Sequence, residues 1–182
     1  MIAEARLPPL FRLTSLAADA DVAAEARRAA KAGADPGTVL CADRADQFRC
    51  SVVLHPDRAA SEALLGVYVG VLGLGDAIGS VVPAGLDITF AWPNRIEANV
   101  GIVGAVTVEL PDAAAEDAVP DWMTVNASLF VALHAPDSTL PITVTALAEE
   151  GCVEVTVRDL LESFSRHFLT WTNRWKDDGF DP

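Results

Sequence analysis

Hydrophobic positions along the chain change period several times, and each change marks an element. From Val157 the residues Leu160, Leu161, Phe164, Phe168, Trp171 and Trp175 recur at intervals of three or four, which places them on one face of a long amphipathic helix. Thr156 is its candidate N-cap and Gly179 its stop. The aromatic stripe is predicted to be core. Near the other end, Asp21–Ala32 reads as a short helix halted by Gly33 and the turn Asp35-Pro36-Gly37. Thr38–Ala42 and Phe48–Leu54 are β-rich and flank the polar segment Asp43–Gln47, as a hairpin does. Ala59–Val82 is apolar on nearly every face, so it predicts a helix covered on most sides. Its uncharged interval lies between Glu62 and Asp76, well short of the roughly 20 residues that span a bilayer.

Strand patterns then dominate. Leu86–Trp92, Arg95–Ala98 and Ile102–Leu110 form a predicted meander, with a turn at Asn99-Val100-Gly101. The acidic, alanine-rich Pro111–Pro120 reads as a solvated loop before a long alternating strand over Trp122–Leu133. After a second loop rich in proline, Thr145–Glu150 predicts a short helix closed by Gly151. The sum is an α+β fold, a mainly antiparallel sheet flanked by helices.

Composition narrows the function. The 182 residues suit one domain over 1–182, and 51% hydrophobic content supplies a full core. Against 26 acidic residues stand 13 Lys and Arg, a formal net charge of -13, which opposes phosphate-backbone binding and predicts no nucleic-acid partner. No secretory or transit pattern opens the chain, so a cytoplasmic location and no membrane partner are expected. Cys41, Cys50 and Cys152, like His55, His134 and His167, lack the spacing of a metal site and read as buried thiols and structural histidines. Lys31 and Lys176 are the only lysines, so residues 32–175 offer no amine to chemistry.

Within the meander stands Asp87-Ile88-Thr89-Phe90-Ala91-Trp92-Pro93-Asn94-Arg95-Ile96, followed by Val100-Gly101-Ile102-Val103-Gly104. This segment resembles the catalytic domain of biotin protein ligases, in the biotin and lipoate protein ligase family. There a strand ends in Lys-Trp-Pro-Asn-Asp, and the hairpin return carries a second lysine shortly before a glycine. Gly37–Asp43 and His55-Pro56 extend the likeness, which covers most of residues 20–180. The resemblance implies a fold like that of class II aminoacyl-tRNA synthetases and biotin protein ligases. It also implies ATP and magnesium as cofactors if the protein is active, a small carboxylic acid or acyl-adenylate as ligand, and a biotinyl or lipoyl carrier protein as partner. The family's small β-rich C-terminal domain is expected to be absent or truncated.

Three departures set this chain apart from the family pattern. Ala91 and Gly101 occupy the two lysine positions, and Arg95 replaces the acid after the asparagine. The glycine- and arginine-rich loop expected between the first two family strands shrinks to Arg44-Ala45-Asp46-Gln47. Losing charge contacts to a developing phosphoryl or carboxylate group costs several kcal/mol, and each ~1.4 kcal/mol is tenfold in rate. Arginines at 44, 49 and 95 are the cations on the right segments to substitute; otherwise Arg95 is a solvated strand-end residue and Arg49 points outward from its strand. The candidate ligand-binding set is therefore Trp92, Asn94, Arg95, Arg44, Arg49 and Gly104, with no catalytic residue and no metal ligand assigned. Two functions stand as expectations. One is an active ligase or acyltransferase on biotin, lipoate or another carboxylic acid, with arginines in place of lysines. The other is a divergent protein impaired in ATP-dependent biotin transfer that binds an acyl ligand or a carrier protein.

Overall fold

The computed structural model describes residues 2–133 and 143–179. The proline-rich loop after residue 133, with His134, lies outside them. Seven strands form one sheet in the order β1-β2-β3-β7-β6-β5-β4. These are β1 (Arg12–Leu16), β2 (Thr38–Ala42), β3 (Gln47–Leu54), β4 (Ile88–Ala91), β5 (Arg95–Ala98), β6 (Gly101–Glu109) and β7 (Met123–Phe130). All neighbours pair antiparallel except β1 with β2, which run parallel. The helices are α1 (Val22–Lys31), α2 (Ala60–Ala63), α3 (Gly66–Val81) and α4 (Val157–Asp178). The α+β reading of a mainly antiparallel, helix-flanked sheet holds.

Alternation along β2 and β3 decides which helix goes where, because successive side chains leave a strand on opposite faces. Leu40, Ala42 and Val53 meet Val22, Ala26 and Ala30 of α1, with Trp122 closing this smaller cluster. Val39, Cys41, Phe48, Cys50 and Val52 turn the other way, toward α3 and α4. There Gly70 sits so close to the sheet that a Cβ would stand 2.6 Å from Val106 and 2.8 Å from Val125, and Gly73 lies against the Phe168 backbone of α4. The glycines at helical spacing in α3 thus bring three layers together. The apolar stretch Ala60–Val81 is long and apolar enough to cross a membrane by composition, yet α3 spends that surface on α4 and the sheet.

Thr156 caps α4 in a full capping box with Asp159, and Asp21 caps α1 through the Ala24 amide. Cys41 and Cys50 face each other across the β2–β3 pair. All three cysteines are free and buried, and a hydrogen bond to Cys41 together with burial pushes the Cys50 thiol well above its usual range.

Three elements differ from the sequence reading. The 59–82 helix breaks at Leu64–Leu65, and α2 docks separately, its Ala60 and Ser61 amides donating to Ala118 and Glu116 carbonyls of the acidic loop. Thr145–Glu150 is no helix: the Leu147 and Ala148 amides donate across to Phe130 and Val131, so a turn forms in place of an i to i−4 ladder. Strand β1, not foreseen, extends the sheet from the N-terminal segment, and its pairing with β2 makes the sheet mixed.

Candidate functional site

On the α1 face, three central strands carry polar side chains into the sheet interior. The register aligns Arg49 of β3 with Ser128 of β7 and Ala105 of β6, and beside that row Ser51 with Asn126 and Thr107. These two rows floor a cavity of about 200 Å³, and Asp21, Val22 and Ala23 at the start of α1 form its opposite wall. Most floor groups already have partners. Ser51 Oγ donates to Asn126 Oδ1 at 2.7 Å, Asn126 Nδ2 to Thr124 Oγ1 at 3.4 Å, and Ser128 Oγ to the Ala105 carbonyl at 3.3 Å.

Arg49 is the exception. Its Nη2 donates to the Ala18 carbonyl at 3.1 Å, but its Nε is buried with no hydrogen-bond partner, and among the described residues no other buried side-chain nitrogen or oxygen is left so. No carboxylate among the described residues lies within ion-pair distance of it. An unmade hydrogen bond at a buried polar group costs about 1–3 kcal/mol, and more when the group is charged. Arg49 therefore lines the cavity as a half-buried cation whose hydrogen-bonding capacity the protein satisfies only in part.

The other candidate residues go elsewhere. Arg44 makes a bidentate pair with Asp46, at 2.7 and 2.5 Å, which raises the guanidinium's pKa against the opposing effect of burial. It edges a broad groove with Asp43, Val131 and Arg158. The short β2–β3 link is itself fastened, because the Asp46 carbonyl accepts from both Val131 and Ala132 amides. Trp92, 83% exposed, and Arg95 line a mainly apolar cleft of about 370 Å³ with Tyr68, Leu72 and Phe90. This cleft lies between α3 and the β4 edge, with the Phe90 ring reaching Gly75 of α3.

Asn94 does not line that cleft. Its Nδ2 donates to the Val106 carbonyl at 2.8 Å and its own carbonyl accepts from the Val106 amide at 3.0 Å, tying the β4–β5 turn to β6. Gly104 is fitted to β7: a Cβ there would stand 2.5 Å from the Ser128 carbonyl oxygen. The six residues thus fall into a cavity (Arg49), a groove (Arg44), a cleft (Trp92, Arg95) and two packing positions (Asn94, Gly104). Ser51, Thr107, Asn126 and Ser128 were missed in the sequence. Their signal was the polar residues Thr124, Asn126 and Ser128 at every second position of a strand otherwise apolar at its core.

Position 101, a lysine position by the family resemblance, has been refilled. A Cβ on Gly101 would clash with Thr145, whose own Cβ stands 2.8 Å away. Thr145 Oγ1 donates to Glu150 Oε1 at 2.7 Å, and Asn99 Nδ2 donates to Glu150 Oε2. The turn over residues 147–151 therefore closes over the start of β6.

The model of the biotin/lipoate A/B protein ligase family matches residues 7–182. Among solved structures, a biotin protein ligase-like protein of unknown function from Silicibacter sp. superposes with a TM-score of 0.88 at 28% identity, over 96% of this chain and 75% of that one. Biotin protein ligase from Aquifex aeolicus, solved in complex with biotin and ATP, gives a TM-score of 0.74 at 18% identity, over 93% of this chain and 73% of that one. Its counterpart from Leishmania major, in complex with biotinyl-5-AMP, gives 0.62 at 15% identity, over 91% and 76%. No curated protein matches the chain.

Proposed function

The chain belongs to the biotin/lipoate A/B protein ligase family, and from that premise we propose a divergent member, impaired in ATP-dependent biotin transfer, that holds a small carboxylic acid in the cavity between α1 and the sheet. The observation that carries this reading is Gly101 under Thr145. A lysine lost by simple substitution leaves space for a substitute, whereas here the side chain's first carbon has no room. At the other lysine position stands Ala91, and Arg44 is already committed to Asp46. Removing one preorganised donor to developing charge typically costs about 2.7–4 kcal/mol in the transition state, or 10²–10³ in rate.

What remains is suited to binding. The α1 wall and the polar rows line the cavity, and Arg49 beside them supplies the charge an acid needs. Related proteins have been solved with biotin, ATP and biotinyl-5-AMP, so ATP with magnesium is the cofactor pair to test if turnover survives. A biotinyl or lipoyl carrier protein is the proposed macromolecular partner, and the proposed setting is a single domain acting in the cytoplasm. Incubation with ATP, magnesium, labelled biotin and a carrier domain tests the reading. We expect no label transfer above the enzyme-free background; transfer at a rate comparable to a working ligase overturns it.

A further inference from the structure

The β2–β3 pair sets two free thiols, Cys41 and Cys50, directly opposite each other. Backbone direction decides how close they come, because peptide groups point to alternate sides along a strand. The Asp43 amide donates to the Leu16 carbonyl, so the peptide groups of Cys41, two residues earlier, also point to β1. The Asp46 carbonyl accepts from the Val131 amide, so those of Phe48 and Cys50 point to β7. The two cysteines therefore face each other without exchanging backbone hydrogen bonds, the closer class of antiparallel pair, with Cα atoms about 4.5 Å apart. A disulfide spans about 4.4–6.8 Å between Cα atoms, and the two thiols are already in hydrogen-bond contact. We propose that Cys41 and Cys50 form a dithiol modification site, oxidised by hydrogen peroxide to an intrachain disulfide across the β2–β3 pair.

One sulfur attacks the peroxide: an S–O bond forms as the O–O bond breaks, and the thiol proton leaves with the departing hydroxide as water. The second sulfur then attacks the sulfenic acid, an S–S bond forms as the S–O bond breaks, and a second water leaves. The two thiols lose two electrons and the peroxide gains them. A thiol within reach diverts the sulfenic acid from further oxidation, and the register holds one there. Cys152 lies outside the strands, with no cysteine paired opposite it. Both thiols of the pair are fully buried, so their oxidation requires a small oxidant and a local opening, and hydrogen peroxide is little larger than water. Around the pair the fold is held by short pieces. The outer neighbour of β2 is the five-residue β1. Ile2, in the same apolar cluster, is tied to the Asp43 carboxylate just past β2 at 3.2 Å. Local opening of such segments costs less than global unfolding.

The test is peptide mapping of the native full chain after exposure to hydrogen peroxide and alkylation of the remaining thiols. Trypsin cuts after Lys31, Arg44, Arg49 and Arg58, which puts Cys41 on peptide 32–44 and Cys50 on peptide 50–58. A disulfide is then read as these two peptides joined, with the loss of the two thiol hydrogens. We expect the joined pair to be the main oxidised product, to return to alkylatable thiols with dithiothreitol, and to leave Cys152 alkylated. Cys41→Ser and Cys50→Ser should each abolish it. Cysteines that both stay reduced in the peroxide-treated parent overturn the proposal. So does oxidation of each to sulfinic acid without joining, or joining of either to Cys152 or to a second chain. A pair that joins only in denaturant, where the strand register is lost, overturns it as well. These readouts come from the parent protein and hold even if a serine variant fails to fold.

Discussion

The two faces of the sheet are built to different standards. Toward α3 and α4 the interior is apolar and closely fitted, with Phe48, Phe164 and Phe168 in edge and tilted contacts at centroid separations of 5.7 and 5.3 Å. Its few buried polar groups are paired: Ser80 with Ser163 at 2.6 Å, and Ser165 Oγ donating to the Glu162 carbonyl at 3.0 Å. Toward α1 the same strands present Arg49, Ser51, Thr107, Asn126 and Ser128, and one buried donor is left without an acceptor. Stability alone does not favour such a floor, since apolar residues of the same shape would avoid the desolvation. One face holds the fold together, and the other keeps polarity at a cost in stability, as a binding surface does.

Substitutions can break this contrast, and the steepest loss is expected on the dry face. Phe168→Ala, at a fully buried ring, should cost about 3–5 kcal/mol in denaturant unfolding. A loss under about 1 kcal/mol would mean that the α4 layer is not the main source of stability. Gly101→Lys should destabilise by about 1–3 kcal/mol through overpacking against Thr145, and should restore no biotin transfer in the labelled assay. Thr156→Ala removes the α4 cap and should cost about 1 kcal/mol, read from the denaturation midpoint. The smallest change is expected on the polar face. Arg49→Met removes the unpartnered donor and keeps a stem to fill the space, so unfolding stability should stay within about 0.5 kcal/mol of the parent or rise. A loss comparable to Phe168→Ala would show that Arg49 is a structural strut, and would erase the distinction between the faces.

Legibility in the sequence followed the same division. Helix α4, its Thr156 cap and the β2–β3 hairpin were readable because local period and cap chemistry agree with the fold there. Strand β1 was not, because Arg12–Leu16 is a short edge strand whose pairing with β2 depends on a partner more than twenty residues away. The turn at 147–151 looked helical because its alanines and glutamates favour helix, but its amides are claimed by the end of β7. Of the candidate site residues, those chosen from the family motif, Trp92, Asn94 and Arg95, lie in or beside a turn at the far edge of the sheet. Arg49 was singled out as a cation on the right strand, yet only the register across β3, β7 and β6 brings it beside Ser128 and Asn126.

The fastened β2–β3 link also says where this scaffold can accept new length. Loop closure is insensitive to size, with each doubling costing only about 0.6 kcal/mol, so the four residues between Asp43 and Phe48 are short for reasons other than entropy. What a longer insert must preserve is the double acceptor at the Asp46 carbonyl, which anchors the chain leaving β7. A glycine-rich graft placed before Asp46 leaves that anchor intact, and its reach extends over the groove that Arg44 borders. The connection is thus a natural graft point, through which a short surface turn can be exchanged for a closing lid without reworking either layer beneath it.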